Sequence, residues 1–463
     1  MDKKKMGFWS IVLLTINSII GTGIFLSPGS VAKSAGTQAP MIYLVAAVFT
    51  SMLAITFASA AKYVSKSGAA YAYSKAAFGN TIGQYVGVTR VIAASIAWGT
   101  MGTFVVRTTL KIFGLDSANL TYVTIGFLVL MSILLLINIF GTKLLTLISD
   151  ISTIGKVLAL VVTIIAGVAI LIYTGESHLS ELSLLKAKDG TPLIKEMTTT
   201  TFVTAVIAAF YAFTGFESVA SGSQDMEEPE KNLPKAIPLA IGIIAAIYFG
   251  IVLVGMHVNP VALVQSKEVV VLASIFTNPI LEKVVVLGAL VSMFGINVAA
   301  SFHTPRVLEA MAKEKQVPEI FAKRLSNDLP LPAFLFTAIF AIIIPLSFRY
   351  DSTGIAIISS ISRFVQFLIV PLAVVIFYFG KSKETVLDTK KSMVTDVIIP
   401  LIALLLSILL LVKFNWKGQF SVKDSTGELV TNVKAIISMV VGYVVLPIIM
   451  FIYTKTKKKL SNL

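Results

Sequence analysis

The 463-residue chain has no cysteine, three histidines and few charges, 13% of its residues. Without cysteine there are no disulfides and no thiolate-bound metals. His178, His257 and His303 are too scattered to suggest a metal site. A soluble domain carries roughly 25% charged residues. This chain is 56% hydrophobic, with a mean hydropathy of +0.88, which excludes an ordinary soluble protein. It also lacks a Walker A glycine loop, a His-Glu-x-x-His zinc motif and a Gly-x-Ser-x-Gly elbow. An ATP-driven pump or a membrane hydrolase therefore has no visible engine, and no cofactor is expected. Acidic residues are fewer than basic ones, giving a net charge of +14. The cations cluster between apolar stretches, so they read as a topology signal and not as a nucleic-acid surface.

What the chain does have is many apolar stretches of about 20 residues, the length that crosses a bilayer as a helix. Spans are expected at 8–34, 40–62, 82–112, 120–140, 146–173, 197–222, 236–257, 283–303, 331–348, 354–379, 394–412 and 433–453. That makes an all-α integral membrane protein of twelve transmembrane helices. The basic start, Met1 to Lys5, leads into a first apolar segment without a convincing small-residue cleavage site. It reads as a retained span. Lys3, Lys4, Lys5, Lys62, Lys66, Lys75, Arg306 and Lys313 lie in one set of alternating segments, with more after the tenth span and in the tail. They outnumber the cations of the other set, so both termini are expected in the cytoplasm and the chain in the plasma membrane. Lys33, Arg90, Arg107, Lys156 and Arg363 fall inside or at the ends of spans. Segment 63–80, with Tyr71 and Tyr73, reads as an interfacial helix. Loop 258–282, with Val269 to Leu272 and no charge between Glu268 and Glu282, reads as a short outer cap.

Two runs carry candidate chemistry. Gly21-Thr22-Gly23-Ile24-Phe25 sits within the first span, where glycine and threonine are poor helix formers. An unwound backbone at that depth must face protein, water or a ligand. Its free N–H groups and the helix dipole favour an anion such as a carboxylate, and the Thr22 hydroxyl adds a donor. The same glycines also suit close helix packing. The second run, Phe213-Thr214-Gly215-Phe216, lies in the sixth span. A break there releases carbonyls that attract a cation. Paired breaks in two halves of a transporter point to its substrate site. Together they fit a carboxylate and an ammonium held close, as in an α-amino acid. Tyr211, Phe213 and Phe216 either shape that pocket or pack the core.

Lys156 lies about ten residues into the fifth span, where a charge is expensive and usually functional. It is a candidate proton carrier, or a lysine snorkelling to the interface. Glu217 follows the second break. It can accept a proton, pair with a cation at a gate, or favour a helix N-terminus. Arg363 lies about ten residues into the tenth span and would be the pseudo-symmetry mate of Lys156, one tethering helices near the inner gate and the other near the outer. Arg107 reads as an interfacial anchor. Gln224 to Lys235 reads as a solvated linker.

The residues Ile19-Ile20-Gly21-Thr22-Gly23-Ile24-Phe25 with Pro28-Gly29, Phe213-Thr214-Gly215-Phe216-Glu217-Ser218, and Glu228-Pro229 with Asn232-Leu233-Pro234-Lys235-Ala236-Ile237-Pro238 have a familiar pattern. Over nearly its whole length the chain resembles the amino acid–polyamine–organocation superfamily of secondary transporters. The resemblance implies a LeuT-like fold of five-plus-five inverted repeats, residues 1–379, followed by two further helices and a tail, residues 380–463. It implies that Gly21, Thr22 and Gly23 meet a substrate carboxylate. The carbonyls of Ile19, Tyr211 and Thr214 would meet the ammonium, with Phe213 and Gly215 in the same pocket. Lys156 matches a lysine that replaces a sodium site in some members, implying sodium-independent transport by proton coupling or exchange. Glu217 matches a position implicated in proton response, and Arg363 is kept with these two as a gating residue. Near position 300, where the arginine–agmatine antiporter places a tryptophan, this chain has Ala299 and Ala300. That departure favours a neutral amino acid over a guanidinium substrate. The expected partners are a small amino acid, the bilayer and protons. An amine or polyamine exchanger of the same fold is the alternative, and a channel or receptor is disfavoured because it needs no paired breaks.

Overall fold

The computed structural model describes residues 6–66, 68–140, 142–186, 190–194, 196–220, 226–266, 270–325, 329–423 and 428–461. Lys3, Lys4, Lys5, Gln224, Asp225, Glu268 and Val269 lie outside these residues. The apolar stretches form helices, because a helix satisfies its own backbone without water. In chain order these are α1 (Phe8–Ile19), α2 (Gly23–Ala35), α3 (Ala39–Tyr63), α4 (Ala70–Phe78), α5 (Asn80–Ile112), α6 (Leu120–Phe140) and α7 (Thr142–Thr174). The second half has α8 (Thr199–Tyr211), α9 (Phe216–Ala220), α10 (Pro229–Val258), α11 (Pro260–Gln265), α12 (Pro279–Lys313), α13 (Leu331–Ser347), α14 (Ser352–Ile361) and α15 (Phe364–Tyr378). Then come α16 (Ile399–Lys413), α17 (Trp416–Gln419), α18 (Val433–Val440) and α19 (Leu446–Ser461). Two π-helical turns, Val394–Ile398 before α16 and Val441–Val445 between α18 and α19, extend these last helices.

Among the described residues, nine helices are long and apolar enough to cross a membrane. Three shorter apolar helices, α1, α8 and α13, accompany them. The 12 residues of α1 and the 13 of α8 are each interrupted before reaching full length. At 1.5 Å per residue either spans about 20 Å, short of a ~30 Å hydrocarbon core. Both expected breaks are therefore present as interruptions of the helix.

The all-α class holds, with one small addition: β1 (Ser421–Lys423) and β2 (Leu429–Thr431) form an antiparallel hairpin, pairing Ser421 with Thr431 and Lys423 with Leu429. The expected tenth span is present as Gly354–Tyr378, with a turn at Ser362 and Arg363 between α14 and α15. Two expectations do need correction. Segment 63–80 does contain a helix, α4, but it does not lie on the surface. Tyr71 and Tyr73 are buried, and a Cβ on Gly83 of α5 would stand 2.8 Å from the Lys75 Cα. Finally, Lys62 is not simply a solvated topology charge. It is buried and pairs at 2.7 Å with Asp396, which also accepts from the Tyr63 hydroxyl at 2.8 Å and the Ser392 N–H at 3.0 Å. A buried ion pair needs such extra bonds to offset its desolvation. This one fastens α3 to the turn leading into α16.

The expected cap in loop 258–282 is present as α11 and a 3₁₀ turn, Val271–Ile275. It presses on α2 so closely that a Cβ on Gly29 would lie 2.3 Å from the Leu263 carbonyl oxygen. Inside, Phe49, Phe57, Phe210, Phe216, Phe364 and Phe367 form a continuous aromatic cluster. It wedges α8 and α9 between α3 and α15, so the second break is held by rigid ring packing on both sides.

Candidate functional site

The first break consists of Ile20, Gly21 and Thr22, with Ile20 extended at φ −68° and ψ 100°. The last N–H bond of α1 ends there, from Ile20 to the Ile16 carbonyl at 2.9 Å. The first N–H groups of α2, beginning at Gly23, have no partner within their own helix. The second break runs over residues 212–215. It turns on Gly215 at φ +119°, a left-handed conformation that a side chain resists.

The two breaks interlock. A Cβ on Gly23 would stand 2.4 Å from the Ala212 Cα, and one on Gly215 would stand 2.3 Å from the Ser18 carbonyl oxygen. Glycine is needed at both positions because backbone meets backbone. Gly21 faces the Ile296 side chain of α12, which a Cβ would approach to 2.4 Å. The hydroxyls of Thr22 and Tyr211 share a 2.9 Å hydrogen bond across the two breaks. So Thr22 and Tyr211, distant in sequence, hold each other. Phe213 packs against the rings of Tyr43 and Tyr248, all three fully enclosed. Tyr248 donates to the Ala212 carbonyl at 3.2 Å, and Ser27 and Tyr43 hydroxyls lie 2.6 Å apart. These aromatic and hydroxyl contacts seal one side of the breaks.

The other side is less enclosed. Thr214 and Gly215 are partly exposed, Ser218 is exposed, and Asn17 and Ser18 of α1 are partly exposed. On α12 the residues Ile296, Ala300 and His303 follow one face and are likewise solvent-touched.

Expected carbonyl roles divide. The Tyr211 carbonyl already accepts from the Thr214 hydroxyl at 2.8 Å and the Thr214 N–H at 3.3 Å, so it is occupied within the turn. Ile19 is buried directly before the break, and its carbonyl accepts no bond among the described residues. The neighbouring carbonyl, Ile20, is held by Lys156, whose ammonium donates to it at 2.8 Å. Lys156 also donates to the Asn17 carbonyl at 3.0 Å and the Asn17 side-chain oxygen at 2.7 Å. Only 2% exposed, Lys156 does not snorkel; it caps the C-terminal end of α1, where a cation suits the dipole.

Glu217 is buried beyond the second break. One carboxylate oxygen accepts from the Gly215 N–H at 2.9 Å, which fixes the turn. The other accepts from Arg363 and lies 3.8 Å from Arg90 of α5. Arg363 sits in the interruption between α14 and α15 and also donates to the Ser359 carbonyl at 3.3 Å. Lys156 and Arg363 therefore each serve a break, one at the end of α1 and the other at the start of α9. Arg107 donates to the Ser117 and Tyr350 carbonyls and is an anchor of loop backbone.

Reading the sequence did not find Asn17, Tyr43, Tyr248 or the role of Arg90. Arg90 carried a signal, a charge within a span. Tyr43 and Tyr248 carried none, since an aromatic in an apolar run has no distinguishing pattern.

The description "Amino acid permease" matches residues 6–455 of the chain. An uncharacterized transporter of Mycobacterium tuberculosis is 38% identical over 462 residues, covering 97% of this chain and 94% of that protein. The serine/threonine exchanger SteT of Bacillus subtilis is 28% identical over 334 residues, 71% of this chain and 72% of that one. The large neutral amino acids transporter small subunit 2 of Rattus norvegicus is 27% identical over 347 residues, 73% and 63% respectively. With interlocked helix breaks, a buried lysine at one of them and a match along nearly its full length, the chain belongs to the amino acid permease family of the amino acid–polyamine–organocation superfamily.

Proposed function

We propose that the protein is a sodium-independent carrier of neutral L-amino acids, working by alternating access through exchange or proton coupling. The observation that carries this reading is the contact between the Gly21–Gly23 and Ala212–Gly215 breaks, solvent-touched from one side and sealed by Tyr43, Phe213 and Tyr248 on the other. A zwitterion fits there. Its carboxylate meets the N–H groups of Gly21, Thr22 and Gly23 at the start of α2, and its ammonium meets the carbonyls of Ile19 and Thr214. Phe213 and Gly215 bound the pocket.

Lys156 occupies the end of α1 with an ammonium that needs no sodium, which supports sodium independence. Names of two relatives, a serine/threonine exchanger and a large neutral amino acids transporter, favour neutral side chains. The topology we propose has twelve spans, taking α1 with α2, α8 with α9 and α14 with α15 as single crossings. Residues 1–379 form the five-plus-five inverted repeat and residues 380–463 the last two spans, with both termini cytoplasmic in the plasma membrane. Supporting the repeat, the breaks fall in its first and sixth members.

The test is counterflow in liposomes. Purified protein loaded with unlabelled L-serine should accumulate external labelled L-serine without a sodium gradient, and the flux should saturate. A panel of the other amino acids and common amines then ranks the side chains. Strict sodium dependence, or a flux that never saturates, overturns the reading.

A further inference from the structure

Three charged side chains meet beside the Gly215 turn, and their charges do not cancel. Glu217 supplies the carboxylate. Arg363 donates to it, while Arg90 stands 3.8 Å from the same oxygen, beyond hydrogen-bond range. Arg90 makes no hydrogen bond among the described residues, and its contact with Glu217 is purely electrostatic. A guanidinium has five N–H donors to satisfy. The Arg90 side chain is only 13% exposed. A charge so far out of water is costly without a hydrogen-bonded partner.

The location of that residual exposure is informative. Between residues 86 and 106, solvent touches α5 only at Arg90, Ala94 and Met101. Spacings of four and seven residues put all three on one helical face. The rest of α5 is enclosed by protein, with 83% of its apolar window buried. The residual exposure of this part of α5 is thus confined to the face that carries Arg90. Through Glu217, Arg90 is one carboxylate away from the Gly215 backbone and so borders the amino acid pocket.

We propose that Arg90 is an anion-binding residue that holds one small monovalent anion beside Glu217 and the Gly215 turn. Two guanidinium charges against one carboxylate leave a single positive charge to balance, which sets the valence. The anion is either free chloride or the side-chain carboxylate of an acidic amino acid, which would widen the neutral substrate class proposed above. The second source rests on the pocket assignment made above, and the first does not.

The full chain in detergent tests this without transport. A ligand that binds the native state raises the unfolding midpoint in proportion to the logarithm of its concentration. Chloride is titrated against gluconate at equal ionic strength, and glutamate is titrated against glutamine. The wild type should show a stabilisation by chloride over gluconate, or by glutamate over glutamine, that Arg90→Gln loses and Arg90→Lys retains. Chloride alone identifies the free anion; glutamate over glutamine identifies the side chain. Should Arg90→Gln fail to fold, Glu217→Gln removes the competing carboxylate and should tighten the anion response by about tenfold. Equal responses to anion and control in the wild type, or an unchanged response in Arg90→Gln or Glu217→Gln, overturn the proposal. Absent amino acid transport with an intact chloride response would refute the permease reading and leave the anion site standing.

Discussion

Lys156→Met removes an ammonium while keeping a side chain of similar length in place. Lys156 donates to three oxygens at the end of α1, those of Asn17 (backbone and side chain) and Ile20. The Asn17 side chain can turn toward solvent, since Asn17 is partly exposed. The two backbone carbonyls cannot follow it. Leaving each without this donor costs roughly 1–3 kcal/mol. Part of that is offset because an ammonium no longer has to be desolvated. A net loss of about 2 kcal/mol is a factor of about 30 in an equilibrium constant. The loss falls on the geometry of the first break, whose Gly23 touches Ala212, and not on the scaffold. It should therefore appear as a fall of about 30-fold in serine exchange in liposomes, with yield and monodispersity in detergent little changed. Exchange within about threefold of wild type, under 1 kcal/mol by the same conversion, would refute the reasoning and reduce Lys156 to a structural tether.

Gly215→Ala must place a methyl 2.3 Å from the Ser18 carbonyl oxygen at φ +119°, so α1 and α9 must part. Substrate-induced thermal stabilisation should be lost, whereas Gly242→Ala, with nothing within 4 Å, should bind and transport normally; wild-type affinity in Gly215→Ala would mean that the breaks need not touch. At the end of α12, partial burial pushes the Glu314 carboxyl up, but hydrogen bonds from Lys75 and Tyr71 outweigh it and hold it below its ordinary 4.5. A depressed folded value means that the pair's stabilisation is present above that pH and is lost as pH falls through the folded value. Acid unfolding below about pH 4.5 should thus be shallower in Glu314→Gln than in wild type, and identical acid limbs would show that the pair contributes nothing.

The reach of the sequence is clearest at the breaks. Gly21, Thr22, Gly23 and Gly215 stood out because glycine and threonine in an apolar run contradict the local helix preference, and a one-dimensional pattern can register a contradiction. Lys156, Glu217 and Arg363 stood out because charge within a span is rare. The interruption at Ser362 and Arg363 was not legible, since nothing in Ser359 to Phe364 disfavours a helix strongly enough. Neither was the burial of α4, whose alanines and tyrosines suit a membrane surface and a protein interior equally well.

By itself, the sequence determined the solvent this protein lives in, the helical class of its segments, two places where helices must stop, and a transporter family. These follow from local composition, because bilayer length and backbone hydrogen bonding act on each stretch independently. Only the tertiary structure decided which groups meet: Lys156 with Asn17 and Ile20, Glu217 with Arg363 and Arg90, Phe213 with Tyr43 and Tyr248. Such pairings depend on how helices far apart in the chain are packed, and distance along the chain carries no information about direction across the bundle.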